Sequence, residues 1–195
     1  DGAWISYTTI TETNFERAFL YDVQQKESHP VSDGLSNVSD PVFDPSGKYL
    51  YLLASTDAGP VINWFDQSNQ DMQMSHSIYL ITLEKSIPSP FSKENDIEDP
   101  KEDTTEKAEE EVEIPKVKVD WDGIENRIVN VPLDAGWFGN LQVNKEGELF
   151  YLVYTPADNT SMLHKYELKE SAEAPSFNLA GKLGYPPKFR ARGGL

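Results

Sequence analysis

The chain has 195 residues, of which 33 are acidic and 17 basic, and its formal net charge is −16. This charge argues against binding to nucleic acid or to anionic membranes, because both need a basic protein surface. The absence of cysteine excludes a thiol nucleophile, disulfide bonds and thiolate metal sites. No apolar run approaches the ~18 residues that suggest a membrane-spanning helix, so the sequence predicts no membrane partner.

The first part of the chain predicts three strands connected by polar turns. Apolar and polar residues alternate along these segments with the two-residue period of a strand. The segments are Ala3–Ile10, Arg17–Val23 and Ser28–Ser32. The third contains Pro30, which suits an outer edge strand because a missing N–H costs little there.

A strong turn signal, DPSG at positions 44–47, opens the next part of the chain. Proline presets φ in such a turn, and glycine supplies the positive φ. The nearly continuous apolar run Tyr49–Leu53 follows and predicts a strand that is packed on both faces. The polar segment Ser55–Ser75 predicts a loop, and Ser77–Leu83 predicts the next strand.

A strongly acidic stretch comes after this strand. Between Lys93 and Glu113 there are 11 acidic residues and three lysines, which give a net charge of −8. The stretch has no aromatic residue and no usable periodicity, so we predict a disordered or weakly helical excursion. Its acidic side chains could attract basic peptides, although a solvated loop is the simpler interpretation.

The last part of the chain predicts a further set of strands. Val117–Leu133 resumes the alternating pattern and would supply the outer strand of the interrupted unit. The strands expected after it are Trp137–Val143, Glu148–Thr155, Met162–Leu168 and Ser176–Leu179. Lys182–Leu195 matches none of these patterns.

These strands belong to a repeated unit. The stretch PVFDPSGKYLYLL at 41–53 recurs as LQVNKEGELFYLV at 141–153 and, shortened, as DGAWISYT at 1–8. Superposing the turn glycines of the three copies predicts that three residues occupy one structural position. These residues are Ile5, Leu50 and Phe150.

A second strand recurs without gaps and predicts a buried face. Its copies are AFLYDV at 18–23, IYLITL at 78–83 and LHKYEL at 163–168. Alternate residues of a strand lie on one side, and we predict that the side kept apolar in all three copies is buried. That side carries Phe19, Tyr21 and Val23, then Tyr79, Ile81 and Leu83, then His164, Tyr166 and Leu168.

Repeats of ~40–45 residues with about four strands are typical of β-propeller blades. We therefore predict an all-β fold of about three four-stranded antiparallel blades, an incomplete propeller. The boundaries are 1–34 for a partial first blade, 35–135 for a second blade with an acidic insertion at 86–116, 136–181 for a third blade, and 182–195 for an unplaced tail. Because a closed propeller has ~4–8 blades, we expect a fragment of a longer chain that self-associates through open blade edges.

Residues able to carry chemistry form no recognised motif. The sequence has no HExxH, no nucleophile elbow and no glycine-rich phosphate loop. His29, His76 and His164 are not spaced as metal ligands, and we interpret His164 as a packed core residue. Asp40–Asp44 and Asp120–Gly123 could suggest calcium, but the remaining ligands of a helix-loop-helix calcium site are missing, so we interpret both as turns. We predict no catalytic, cofactor-binding or metal-binding residue. Two interpretations stay open for the tryptophans, which could line a pocket or pack between blades. They are Trp4, Trp64, Trp121 and Trp137.

Three stretches together resemble the propeller part of the tricorn protease family. The unit at 41–53 matches the repeat shared by tricorn and TolB-type propellers, and IPSPF at 87–91, followed by an acidic run, is more specific. The most specific is VDWDGIENRIV at 119–129, followed by VPL at 131–133. Tricorn-like peptidases close a blade with a similar Asp-Gly-Ile…Arg-Ile-Val…Pro run after such an insertion. The resemblance covers residues 1–179.

The resemblance implies a large serine peptidase in which propellers precede a PDZ-like module and the catalytic domains. Such propellers are thought to admit peptides and guide them to the active site. The family's nucleophile and histidine lie in the catalytic domains, and no stretch here matches them. The chain would then be a non-catalytic segment whose partners are peptides and the rest of its parent, in the cytoplasm or alternatively the periplasm.

Two other classes of protein stay open. One is a TolB-like binding propeller, a scaffold with no peptidase domain attached. The other is the propeller of a prolyl-oligopeptidase-type hydrolase, which the Asp-Gly-Ile-Glu stretch disfavours.

Overall fold

The structure is a computed structural model. It describes residues 2–56, 75–91, 115–155 and 159–168, together with the course of the strand at 172–178. The loop around Trp64, the acidic run and the tail from Lys182, all named in the sequence predictions, lie outside these residues. No helix in the described ranges is long and apolar enough to cross a membrane.

Three antiparallel sheets make up the described fold. The first contains β1 (Trp4–Ile10), β2 (Glu16–Asp22) and β3 (Glu27–Pro30), in that order. The second contains β4 (Val38–Phe43), β5 (Tyr49–Ala54), β6 (Ser77–Thr82) and β7 (Ile128–Asn130), and a short 3-10 helix at Ile124–Arg127 precedes β7. The third contains β8 (Phe138–Val143), β9 (Leu149–Thr155), β10 (Thr160–Glu167) and β11 (Ala172–Asn178).

The sheets stack side by side and meet near their first strands. Strand β4 contacts β1 and β2 of the first sheet, and β8 contacts β4 and β5 of the second. At the first of these joints the Ser6 hydroxyl donates a hydrogen bond to the Pro41 carbonyl oxygen at 2.9 Å. Radial stacking of antiparallel sheets is the arrangement of propeller blades. The predicted all-β, incomplete propeller is confirmed.

A separate hydrophobic core fills each joint. Between the first and second sheets lie Ala18, Leu20, Val31, Val38, Leu50, Leu52, Ala54, Ile81, Leu83 and Ile124. Between the second and third sheets lie Tyr51, Leu53, Ile78, Leu80, Val131, Leu141, Leu149, Tyr151 and Tyr166. Strand β5 supplies alternate residues to the two cores, which explains its nearly continuous apolar sequence.

The third copy of the repeat differs from the prediction by one residue. In the second sheet the Asp44 N–H bonds to the Tyr49 carbonyl oxygen at 2.9 Å, whereas the Asn144 N–H bonds to the Glu148 oxygen at 3.0 Å. The turn before β9 is therefore one residue shorter. Because the turn sets the register of a hairpin, Leu149 and not Phe150 occupies the position of Leu50. The predicted superposition of Phe150 was wrong.

The predicted buried face was also wrong for the first sheet. On β2 the buried residues are Ala18, Leu20 and Asp22, while Phe19 and Tyr21 are half-buried. Val23, just beyond the strand, is 40% exposed. In the second sheet the corresponding Ile81 and Leu83 are completely buried, because the first sheet covers them. No sheet of the described residues lies on that side of β2.

Candidate functional site

The most family-specific stretch of the sequence packs into the joint between the first and second sheets. The Trp4 indole N–H donates to the Val117 carbonyl oxygen at 3.2 Å. The ring of Trp121 meets that of Trp4 edge-on, with centroids 5.6 Å apart, and stacks on His29 at 4.1 Å. Both tryptophans therefore serve blade packing. We call residues 117–127 the clasp segment.

Arg127 holds the clasp segment against the end of β6. Its Nε donates to the Thr82 carbonyl oxygen at 2.9 Å, and Nη2 donates to that of Leu83 at 3.3 Å. Nη1 donates to the Asp122 carbonyl oxygen at 3.0 Å, and Nη2 also reaches that of Asp120. The planar guanidinium, with its five fixed donors, suits such a set of carbonyl groups.

The acidic side chains of this turn are engaged by Lys85. The Lys85 backbone N–H donates to Asp120 Oδ2 at 2.8 Å, and its ammonium group pairs with Asp122. The hydrogen bond from Lys85 lowers the pKa of Asp122.

At the other acidic turn, the Asp44 carboxylate accepts hydrogen bonds from the backbone N–H and the hydroxyl of Ser46. These bonds and those from Lys85 are turn contacts for Asp44, Asp120 and Asp122, whereas Asp40 lies within strand β4. The described residues contain no group of three His, Cys, Asp or Glu side chains placed to hold a metal.

A cavity of about 350 Å³ opens beside the clasp segment, lined in part by Arg17, His29, Trp121 and Glu125. Arg17 Nε donates to the Ser32 carbonyl oxygen at 2.6 Å. The Nε2 atom of His29 is buried without a hydrogen-bond partner, and it lies 4.0 Å from the Glu27 carboxylate. The sequence analysis assigned no chemical role to His29 and did not single out Arg17 or Glu125. No motif signals them, because segments far apart in the chain bring them together.

A second cavity of about 400 Å³ lies between the turns that precede β5 and β9, lined in part by Asp44, Lys48, Glu148 and Glu167. Lys165 Nζ contacts Glu148 at 2.8 Å and also pairs with Glu167. The hydrogen bond from Lys165 lowers the pKa of Glu148, and that from Glu148 raises the pKa of Lys165. A general acid or base needs a pKa near the working pH, so this ion cluster suits binding of a polar group better than proton transfer.

The first strands of the second and third sheets carry the same irregularity. The pairing of β4 shifts between Ser39 and Val42, and that of β8 shifts between Gly139 and Gln142. In each bulge one residue is left-handed, Asp40 with φ 49° and Asn140 with φ 54°. The two residues are 100 positions apart and correspond in the repeat. A bulge on an edge strand disrupts the row of backbone groups that could pair with another strand.

His76 and His164 lie in the joint between the second and third sheets. The His76 N–H donates to the Gly136 carbonyl oxygen at 2.7 Å, and the Gly136 N–H donates back at 3.0 Å. Burial lowers the pKa of His76, an effect that the nearby Asp40 carboxylate opposes. His164 stacks on Tyr151 with centroids 5.5 Å apart, in agreement with its interpretation as a packed residue.

The side chain of Trp137 is 36% exposed and lies beside the ring of Tyr154.

Antiparallel sheets stacked through their first strands define the class of this protein as a β-propeller. No family model matches the sequence. The chain is 29% identical over 112 residues to tricorn protease homolog 1 of Streptomyces coelicolor, which covers 56% of this chain and 10% of that protein. It is 27% identical over 150 residues to a putative tricorn-like protease C-terminal subunit of Sulfurisphaera tokodaii, which covers 77% of this chain and 16% of that protein.

The crystal structure of the tricorn protease contains a region with a similar fold, with a TM-score of 0.57 and 17% identity; the match covers 88% of this chain and 17% of that one. The resemblance to the tricorn family is thereby confirmed, and the chain is a tricorn-related β-propeller region. It spans between a tenth and a sixth of the length of the relatives named above.

Proposed function

We propose that this region is part of the wall of a peptide channel in a tricorn-like serine peptidase. It would guide or filter peptides toward a catalytic domain that lies outside the chain. The parent enzyme would work in the cytoplasm or, alternatively, in the periplasm. The observation that carries the proposal is the paired bulge at Asp40 and Asn140, on the strands nearest the point where the sheets converge.

The bulges support a channel that passes peptides without retaining them. A regular edge strand offers a row of free N–H and C=O groups, and an extended peptide can add to it as a further strand. The bulges in β4 and β8 interrupt that row on both sheets. A peptide in the channel would then be held by side chains more than by a continuous backbone ladder.

The charge supports a preference for basic peptides. Asp40 is exposed in its bulge, and the chain as a whole carries a formal charge of −16. A cleft or channel lined by one sign of charge raises the local concentration of ligands of the opposite sign. Such attraction is weak per contact and is screened by salt, which is what transit requires.

The test uses fluorescence anisotropy with two labelled peptides of equal length, one lysine-rich and one glutamate-rich. We expect weak, salt-sensitive binding of the basic peptide only, and Asp40→Lys should weaken it at least about 3-fold, or ~0.7 kcal/mol. Glu12→Lys makes the same change of charge in an exposed loop and is the matched control. Equal weakening by both variants, or no preference between the peptides, would contradict the proposal.

A second assay tests whether the chain is itself an enzyme. The purified chain should not hydrolyse a fluorogenic peptide, because the proposal places the nucleophile elsewhere. Turnover that survives repurification would contradict it. Absence of both turnover and peptide binding would favour the TolB-like scaffold instead.

A further inference from the structure

The cavity of about 400 Å³ between the turns at 44–48 and 145–148 has a buried carboxylate in its wall. Asp44 is only 7% exposed, and its Oδ2 atom accepts both hydrogen bonds from Ser46. Its Oδ1 atom accepts no hydrogen bond from the described residues and faces the opposite turn, 3.5 Å from the position that a Cβ on Gly147 would take. A buried carboxylate oxygen without a partner is costly, so this atom is available to a ligand. We call this space the turn cavity.

The other charges around the turn cavity make its interior acidic. Glu148 and Glu167 line it together with Asp44, and Lys165 pairs with both glutamates. These three carboxylates and one ammonium group leave a net charge of −2. At the exposed rim two lysines and one glutamate add +1, so the cavity as a whole stays acidic. A ligand of positive charge would therefore be favoured.

The remaining wall suits an organic cation with an aliphatic stem. Tyr49 is half-buried and lines the cavity, as do Pro45 and Leu168. Burial raises the pKa of Tyr49, and the Asp44 carboxylate adds to this effect, so the hydroxyl stays uncharged at neutral pH. A guanidinium group is planar and weakly hydrated, forms paired hydrogen bonds with carboxylates and stacks on aromatic rings. Its alkyl stem would contact the apolar part of the wall.

We propose that the turn cavity binds the guanidinium group of an arginine side chain. Asp44 Oδ1 would accept a hydrogen bond from it, and the ring of Tyr49 would contact its flat face. The two turns come directly after β4 and β8, the strands nearest the point where the sheets converge, so a peptide at the end of the channel can reach the cavity. The source of the arginine, a peptide in transit, rests on the proposed function, whereas the site itself does not.

NMR spectroscopy of the isotope-labelled chain tests the site directly. Titration with Nα-acetyl-arginine methylamide should shift the backbone N–H signals of Gly47 and Gly147, with a dissociation constant of ~1–10 mM. The citrulline analogue has a similar shape without the charge and should bind at least about 10-fold more weakly. The lysine analogue should bind at least about 3-fold more weakly, because an ammonium group lacks the planar fork. Binding of either analogue as tight as that of the arginine ligand, or shifts confined to other parts of the chain, would overturn the proposal.

A conservative variant tests the buried carboxylate. Asp44→Asn removes its charge and should weaken binding at least about 5-fold. The turn should survive, because Asn144 occupies the corresponding position and its side chain accepts a backbone N–H at 3.1 Å, as that of Asp44 does at 2.9 Å. Asp33→Asn is the matched control, since the Asp33 side chain accepts the Leu35 N–H at 2.9 Å in a turn outside the cavity. Unchanged affinity in folded Asp44→Asn, or equal weakening by the control, would contradict the proposal.

A second variant covers a failure to fold. If circular dichroism shows that Asp44→Asn is unfolded, Glu167→Gln at the end of β10 replaces it and should weaken binding at least about 3-fold. Added sodium chloride should weaken binding to the unaltered chain, because it screens the charges. An affinity that neither change lowers would overturn the proposal.

The outcomes of this test and of the peptide assay can be told apart. The blocked arginine needs no channel, so its binding without any preference for basic peptides would retain the site and remove the channel function. A preference for basic peptides without binding of the blocked arginine would remove the site alone.

Discussion

Arg127 Nε donates a hydrogen bond to the Thr82 carbonyl oxygen at 2.9 Å, although the two residues are 45 positions apart in the chain. This contact attaches the clasp segment to the end of β6. The stretch with the clearest family signature thus has a structural task, since it fastens the outer strand β7 and fills the joint between two sheets.

Replacing Arg127 should destabilise the fold. Hydrogen bonds to a charged group contribute ~1.5–3 kcal/mol, so Arg127→Ala should lower the free energy of unfolding by about 2–3 kcal/mol. Arg127→Lys should lose nearly as much, because a lysine ammonium cannot reproduce the planar fork. Urea unfolding followed by circular dichroism measures both, and Lys145→Ala at an exposed turn is the control. A loss below that of the control would show that the four contacts contribute nothing.

The packing of Trp121 gives a second prediction. Truncation of a buried aromatic residue costs ~3–5 kcal/mol, and for the half-buried Trp121 we expect about 2–3 kcal/mol on change to alanine. The loss follows from its contacts with Trp4 and His29. Trp137→Ala, at a residue that is 36% exposed, should cost less than about 1 kcal/mol in the same denaturation experiment. Equal losses would mean that the clasp segment does not stabilise the joint.

Glycine substitutions test the turns. Gly47 has φ 72°, and an added Cβ would lie 3.2 Å from the Val117 side chain. Gly47→Ala should therefore cost about 1–2 kcal/mol from the left-handed backbone alone, and more from this contact. Gly147→Ala has φ 81° but meets Asp44 only at 3.5 Å, so its loss should be smaller. Gly139→Ala, with open space and no positive φ, should be neutral within about 0.5 kcal/mol in thermal unfolding. The reverse order would contradict the turn geometry.

His76 should make stability depend on pH. Because burial lowers its folded-state pKa below 6.5, the unfolded chain binds the proton more readily. The contribution of neutral His76 to the free energy of unfolding is complete above about pH 6.5. It is lost as the pH falls from there through the folded pKa, at no more than ~1.4 kcal/mol per pH unit. In urea titrations between about pH 7 and 5, His76→Gln should remove the part of the pH dependence of the free energy of unfolding that comes from His76. His29→Gln, a histidine outside this joint, serves as the control, and identical slopes for wild type and His76→Gln would sink the prediction.

Much of the fold followed from local pattern. The strand Tyr49–Leu53 could be predicted to pack on both faces because every residue in it is apolar, and β5 does supply both cores. The turns at Gly47 and Gly147 could be predicted because a positive φ favours glycine, and both have one. Period-two alternation and the recurring turn thus carried the propeller prediction.

The cavity beside Trp121 could not be predicted in this way. Its lining joins Arg17 and His29 to Glu125, which lies about a hundred positions further along the chain. The burial of Leu20 in place of Phe19 could not be predicted either, because alternation identifies the two faces of a strand but does not show which face meets a neighbouring sheet.

By itself the sequence determined which segments are strands and where they turn, because these depend on short-range periodicity and on residues with special backbone angles. Its motifs also showed which family the chain resembles. Only the tertiary structure decided which face of each sheet is buried, the one-residue shift at Leu149 and the role of Arg127. Those features depend on contacts between distant segments, and such contacts exist only once the sheets have stacked.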